Sequence, residues 1–89
     1  MPYIPEDERH NLDLMGRNLG AIALGPGRLN FALTTAILAY LGPNPHYRDF
    51  NEVIGVLECI KLELYRRVVA PYERTKCSEH GDVYPEPES

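Results

Sequence analysis

In the stretch NEVIGVLECIKLELYRRVVAPYE, residues 51–73, a lysine falls among apolar side chains. With Phe50 at zero and about 100° per residue, Phe50, Val53, Ile54, Leu57, Ile60, Leu64, Tyr65 and Val68 fill an arc of roughly 140° on a helix, and Lys61 stands at about 20°, inside it. Glu58 lies three residues before it, at the edge of the arc, and Tyr65 four after. A charge buried there without a partner would cost several kcal/mol, so two readings remain. Lys61 snorkels along the seam and meets Glu58 or a carboxylate of another helix. Alternatively, an apolar pocket holds one cation because its ligand is anionic, and Tyr65 offers a ring and a hydroxyl beside it.

Other groups are suited to the same ligand. Gly25-Pro26-Gly27-Arg28 opens a helix, where free backbone N–H groups and the guanidinium of Arg28 both favour a phosphate. The match is unspecific, since neither a P-loop nor a dinucleotide fingerprint is present, and a plain interhelix turn explains it more readily. Asn30 and Thr34, four apart, are a polar pair on an otherwise apolar helix and suit an interface bond or a ligand contact. Arg66 and Arg67, with Arg74 and Lys76, are the main basic concentration; cations near a helix C-terminus also need no ligand to explain them. Cys77-x-x-His80 has metal-ligand types at helical spacing, but His10, His46 and Cys59 supply no second half, so no metal or other cofactor is expected. No catalytic motif appears either. An enzyme would need a pair assembled only by the fold, such as Glu58 with His10.

The elements that would carry these residues are helices. After an extended MPYIP, Pro5 suits a first helical position, and Glu6, Asp7 and Glu8 suit a helix N-terminus. A first helix over about 6–24 aligns Leu12, Met15, Leu19 and Ile22, while Gly16 and Gly20 predict a weak point or a closely packed neighbour. The second helix, about 27–41, is apolar around its whole circumference, from Leu29 and Phe31 to Tyr40 and Leu41, and Gly42-Pro43 stops it. The third opens with Asp49 or Asn51 as N-cap, and Pro71 should end or kink it. One or two further turns lead to Gly81. The reading is all-α: one domain of three to four helices over residues 1–80, then an extended acidic tail over 81–89.

A chain of 89 residues buries only about two-thirds of its unfolded surface, so its core is thin. A helix apolar all round needs cover that so small a core cannot give, which predicts a helical homo-oligomer. Two cysteines are too few for a disulfide framework and fit a reducing cytoplasm. The start lacks the pattern of a signal peptide, and the longest apolar run, about 13 residues, is too short to span a bilayer. A net charge of −4 disfavours a duplex-binding surface.

The MPYIP start, the long block at 51–73 and the ending HGDVY resemble a small family of phage, prophage and bacterial chains catalogued as a domain of unknown function. The family ending is commonly NGDVY; His80 stands here in place of the Asn, which weakens any fixed role for position 80. Gly81 to Tyr84 then suit a turn that docks a tyrosine. The resemblance implies a stand-alone phage-encoded protein and brings no activity with it. Small phage proteins of this type include oligomeric sponges that sequester nucleotide immune signals between subunits. By that analogy, Lys61, Arg28 and Arg66 meet phosphates, Tyr65 stacks on a base, and Asn30, Thr34 and Glu58 complete the site for a cyclic nucleotide or ADP-ribose derivative. The competing expectation is a phage assembly or adaptor protein whose apolar surface and basic cluster meet another protein.

Overall fold

The computed structural model describes residues 3–85, and all regular structure among them is helical. Helix α1 spans Glu6–Ile22, α2 Pro26–Leu41, α3 Tyr47–Leu64 and α4 Ala70–His80, with a π-helical turn at Tyr65–Val69 joining the last two. The all-α expectation therefore holds. The parts of the two extended ends at residues 1–2 and 86–89 lie outside the described residues. The chain divides into two units, one ending at Ile54 and the other beginning at Gly55.

In the first unit, Pro5 has φ −55° and ψ 144°, so it precedes α1 as its N-cap and is not the first helical residue. The Glu8 N–H still bonds to its carbonyl at 3.0 Å, and the acids of the first turn face the positive end of the helix dipole. Arg9 donates Nε to the Ile4 carbonyl at 3.0 Å and holds the incoming strand of chain against the helix. The break expected at Gly16 and Gly20 is not found: α1 runs unbroken, and no neighbour lies within 4 Å of a Cβ built at either glycine. Arg17 pairs with Asp13 at 2.9 Å one turn back, which supports the helix across Gly16.

Gly25 and Gly42 bracket α2 with φ 89°, ψ 161° and φ 72°, ψ −168°. That region of positive φ and extended ψ is essentially closed to residues with a Cβ, so these glycines set both ends of the helix. Pro26 occupies the first turn, where its missing N–H removes nothing. Helix α3 starts three residues earlier than an N-cap at Asp49 would place it. His46 is the cap, its carbonyl accepting from the Asp49 and Phe50 N–H groups, and the Asp49 carboxylate reaches back to the His46 N–H at 2.8 Å.

Burial is sparse. Val53, at 9% exposure, is the one buried hydrophobic residue among those described. Leu19, Ala23, Ala32, Ile37 and Leu41 are half-buried. The all-round apolar pattern of α2 predicts cover on every side, yet Phe31 is 74% exposed, and Leu38 and Tyr40 are exposed with it.

In the second unit, Pro71 does not terminate the helical run. An α-helical Pro71 would clash with the Arg67 carbonyl and leave it without a donor. The irregularity is taken up one turn earlier: the Ala70 N–H bonds to the Tyr65 carbonyl, five residues back, and the wider turn carries the chain past the ring into α4. Arg67 bonds Glu63 at 3.3 Å and the Tyr65 hydroxyl donates to Glu73 at 2.9 Å, so side chains brace the turn from both ends. Gly81, with φ 85° and ψ 159°, ends α4 as its N–H closes on the Cys77 carbonyl at 2.8 Å.

Candidate functional site

Lys61 is carried on the last turn of α3, where its ammonium lies 3.1 Å from Glu58 on the same helix, and its side chain is 70% exposed. Of the two sequence readings, this is the snorkelling ion pair, made locally. The apolar stripe around it is bare as well: Ile60, Leu64, Tyr65 and Val68 are all exposed. Lys61 therefore stands beside exposed apolar side chains of its own helical run.

Asn30 and Thr34 are brought together as predicted, the Thr34 hydroxyl donating to Asn30 Oδ1 at 3.1 Å. With Pro26, Gly27 and Phe31 they line an open depression of about 520 Å³ at the start of α2. Arg28 points elsewhere. Its Nη1 donates to the Leu24 carbonyl at 3.2 Å, and it borders a smaller apolar hollow of about 290 Å³ with Leu19, Ile22, Ala23 and Ala32. Arg66 sits in the π-turn and makes no ion pair among the described residues. Within the first unit Asn30 meets Thr34 and Arg28 lies on the interhelix turn; within the second Lys61 meets Glu58 and Tyr65 lies on the π-turn.

A further open groove of about 640 Å³ lies in the second unit, lined by Tyr65, Tyr72, Glu73, Lys76, Cys77 and Tyr84 among others. Here Lys76 lies over the Tyr72 ring at 5.6 Å from its centroid and pairs with Glu79 at 3.5 Å. Hydrogen bonding to Glu73, and then its negative charge, raises the Tyr65 phenol above the usual tyrosine value. Partial burial, followed by the charge of Asp82 and a hydrogen bond to it, raises the Cys77 thiol. The turn expected at 81–84 forms, with Asp82 Oδ1 accepting the Tyr84 N–H at 3.0 Å, but Tyr84, expected to dock, is 77% exposed, and Val83 beside it is exposed as well.

Of this groove, sequence reasoning singled out Tyr65, Lys76, Cys77 and Tyr84 for other reasons. It missed Tyr72 and Glu73. The signal was present as a tyrosine seven residues, and a glutamate eight, beyond Tyr65, but a uniform α-helix gave no reason to join them. No helix among the described residues is long and apolar enough to cross a membrane.

No curated protein and no solved structure matches the chain. A family profile does: the domain of unknown function DUF6899 matches residues 1–83, nearly the whole sequence, and the chain belongs to that family.

Proposed function

We propose that the chain is a non-enzymatic subunit of a helical homo-oligomer that holds a small anionic ligand where copies meet and sequesters it unchanged. The observation that carries this reading is an exposed apolar surface on α2 and α3 with cations beside it: Phe31, Leu38, Ile60 and Leu64 are exposed, and among the described residues Lys61 and Arg28 have partners only on or next to their own helix. Covering the apolar surface with a second copy lowers the local dielectric around those cations, and an anion then gains what water no longer supplies.

The ligand class is a cyclic nucleotide or an ADP-ribose derivative. Phosphates would meet Lys61, Arg28 and Arg66; Tyr65 would stack on a base, a contact worth about 1–3 kcal/mol in single-strand binders. Asn30, Thr34 and Glu58 would read polar edges of the same ligand. Such a subunit suits a phage-encoded protein acting in the host cytoplasm as a sponge for a nucleotide immune signal.

Thermal-shift titration of the purified chain against cyclic di- and trinucleotides and ADP-ribose derivatives tests this. Ligand at a hundred times its Kd adds about 2.7 kcal/mol, a shift of roughly 10–20 °C for a chain of this size. Release of intact ligand after proteolysis supports sequestration; release of fragments points to an enzyme. A flat response to every compound overturns the reading.

The second reading, an adaptor or assembly protein, is favoured by the openness of the hollows. A surface of exposed aromatic and aliphatic side chains suits a protein partner better than a small molecule. Stoichiometric co-purification with a virion or host protein, without a ligand response, would establish it.

A further inference from the structure

The apolar residues of the second unit follow a repeat that the π-turn extends. Leu57, Ile60 and Leu64 are spaced three and four apart, the a/d alternation of a helical seam, and Phe50 and Val53 precede them in sequence at the same spacing. An uninterrupted alternation would next reach Arg67 and Pro71, a charge and a helix breaker. The π-turn at Tyr65–Val69 contributes one extra residue and rotates the later part of the helix back by about 100°. Val68 and Tyr72 then take the places that residues 67 and 71 would have held. The seam Leu57–Ile60–Leu64–Val68–Tyr72 runs along roughly 23 Å of helix.

All five seam residues are exposed. With Tyr65 beside them, their uncovered area comes to roughly 600 Å² per copy, or about 1,200 Å² for a pair, the lower bound of a specific interface. The flanks are charged and balanced. Lys61, held by Glu58, stands on one edge, and Glu63, joined to Arg67, on the other. A partner of one charge sign, whether nucleic acid, anionic membrane or acidic peptide, gains nothing from flanks that sum to zero. A second copy brings the same balanced edges and meets them in self-complementary fashion.

We infer that this seam is where two copies of the chain pair, and that the π-turn is the device that brings Tyr72 into line with Leu64. The inference rests on the homo-oligomer reading and specifies its surface.

The test compares Leu64→Glu and Ile60→Glu with Leu62→Glu in the full chain, by sedimentation across a concentration series with helicity followed by circular dichroism. Leu62 is exposed to much the same degree as Leu64 but lies away from the seam, so it controls for adding a charge to the helix. The seam variants should weaken association about a hundredfold or more, and Leu62→Glu by no more than about twofold. A second measurement leaves the seam chemistry nearly intact. In a Cys59→Ser, Cys77→Ser background, a short bismaleimide should join copies of Leu64→Cys and fail to join copies of Leu62→Cys. If the unaltered chain associates, but Leu64→Glu keeps the same mass or both cysteine variants cross-link alike, the seam is wrong and the homo-oligomer reading stands. If the unaltered chain sediments as a folded single copy, both fall.

Discussion

Replacing Lys61 with methionine separates structural from ligand roles for this residue. The ammonium lies 3.1 Å from Glu58, with the two side chains 70% and 53% exposed, so solvent screens the pair. Exposed pairs of this kind contribute about 0.2–1 kcal/mol, and three-apart helix pairs sit at the low end. Methionine matches lysine in helix propensity and adds apolar surface to the stripe, which offsets part of that loss. Lys61→Met should therefore change stability by no more than about 0.5 kcal/mol, or roughly 4 °C in melting temperature. Ligand binding should respond more strongly. A charge-assisted hydrogen bond is worth about 1.5–3 kcal/mol, so affinity for an anion held by Lys61 should fall roughly 10- to 150-fold. Differential scanning calorimetry reads the first quantity, and titration calorimetry with a ligand identified by thermal shift reads the second. A stability loss of about 3–5 kcal/mol would mean that Lys61 anchors a buried pair in the assembled protein. That result, or an unaltered ligand affinity, would rule out an anion held by Lys61.

The same geometry has other measurable consequences. Gly42→Ala, at φ 72° and ψ −168°, should cost about 1–3 kcal/mol in denaturant unfolding, whereas Gly16→Ala, mid-helix with open space around it, should gain about 0.5–1 kcal/mol. The Tyr65 phenol is held protonated above its ordinary value by Glu73, so the stability it contributes is complete below the ordinary tyrosine pKa of 10.0 and fades as pH rises through the raised one. Glu73→Gln should move one phenolate transition, followed by ultraviolet absorption, to lower pH. At mildly alkaline pH, Asp82→Asn should speed alkylation of Cys77, read by mass spectrometry, because it removes the charge and the acceptor that help keep the thiol protonated.

Local physics made much of this chain legible. The helix ends were readable because Gly42 and Gly81 carry the terminating conformations themselves and Pro26 suits a first turn. The Glu63–Arg67 and Lys61–Glu58 pairs were readable from spacing alone, since both are made within one helical run. The break predicted at Gly16 and Gly20 did not appear. Their intrinsic cost is only about 1 kcal/mol each, and the rest of α1 carries the helix through, with Arg17 paired to Asp13 beside them.

Where the sequence sufficed, the interactions were short-range: 3.6-residue periodicity, capping, and proline and glycine stereochemistry determined an all-α chain, and spacing placed Glu58 within reach of Lys61. The structure decided what depends on cumulative geometry. The π-turn before Pro71 rotates the residues after it, bringing Tyr65 onto Glu73 and Tyr72 into line with Leu64. It also decided that, Val53 apart, the large apolar side chains of α2 and α3 stay partly or largely exposed. Periodicity says which side of a helix avoids water, but only the placement of neighbouring elements says whether anything covers it.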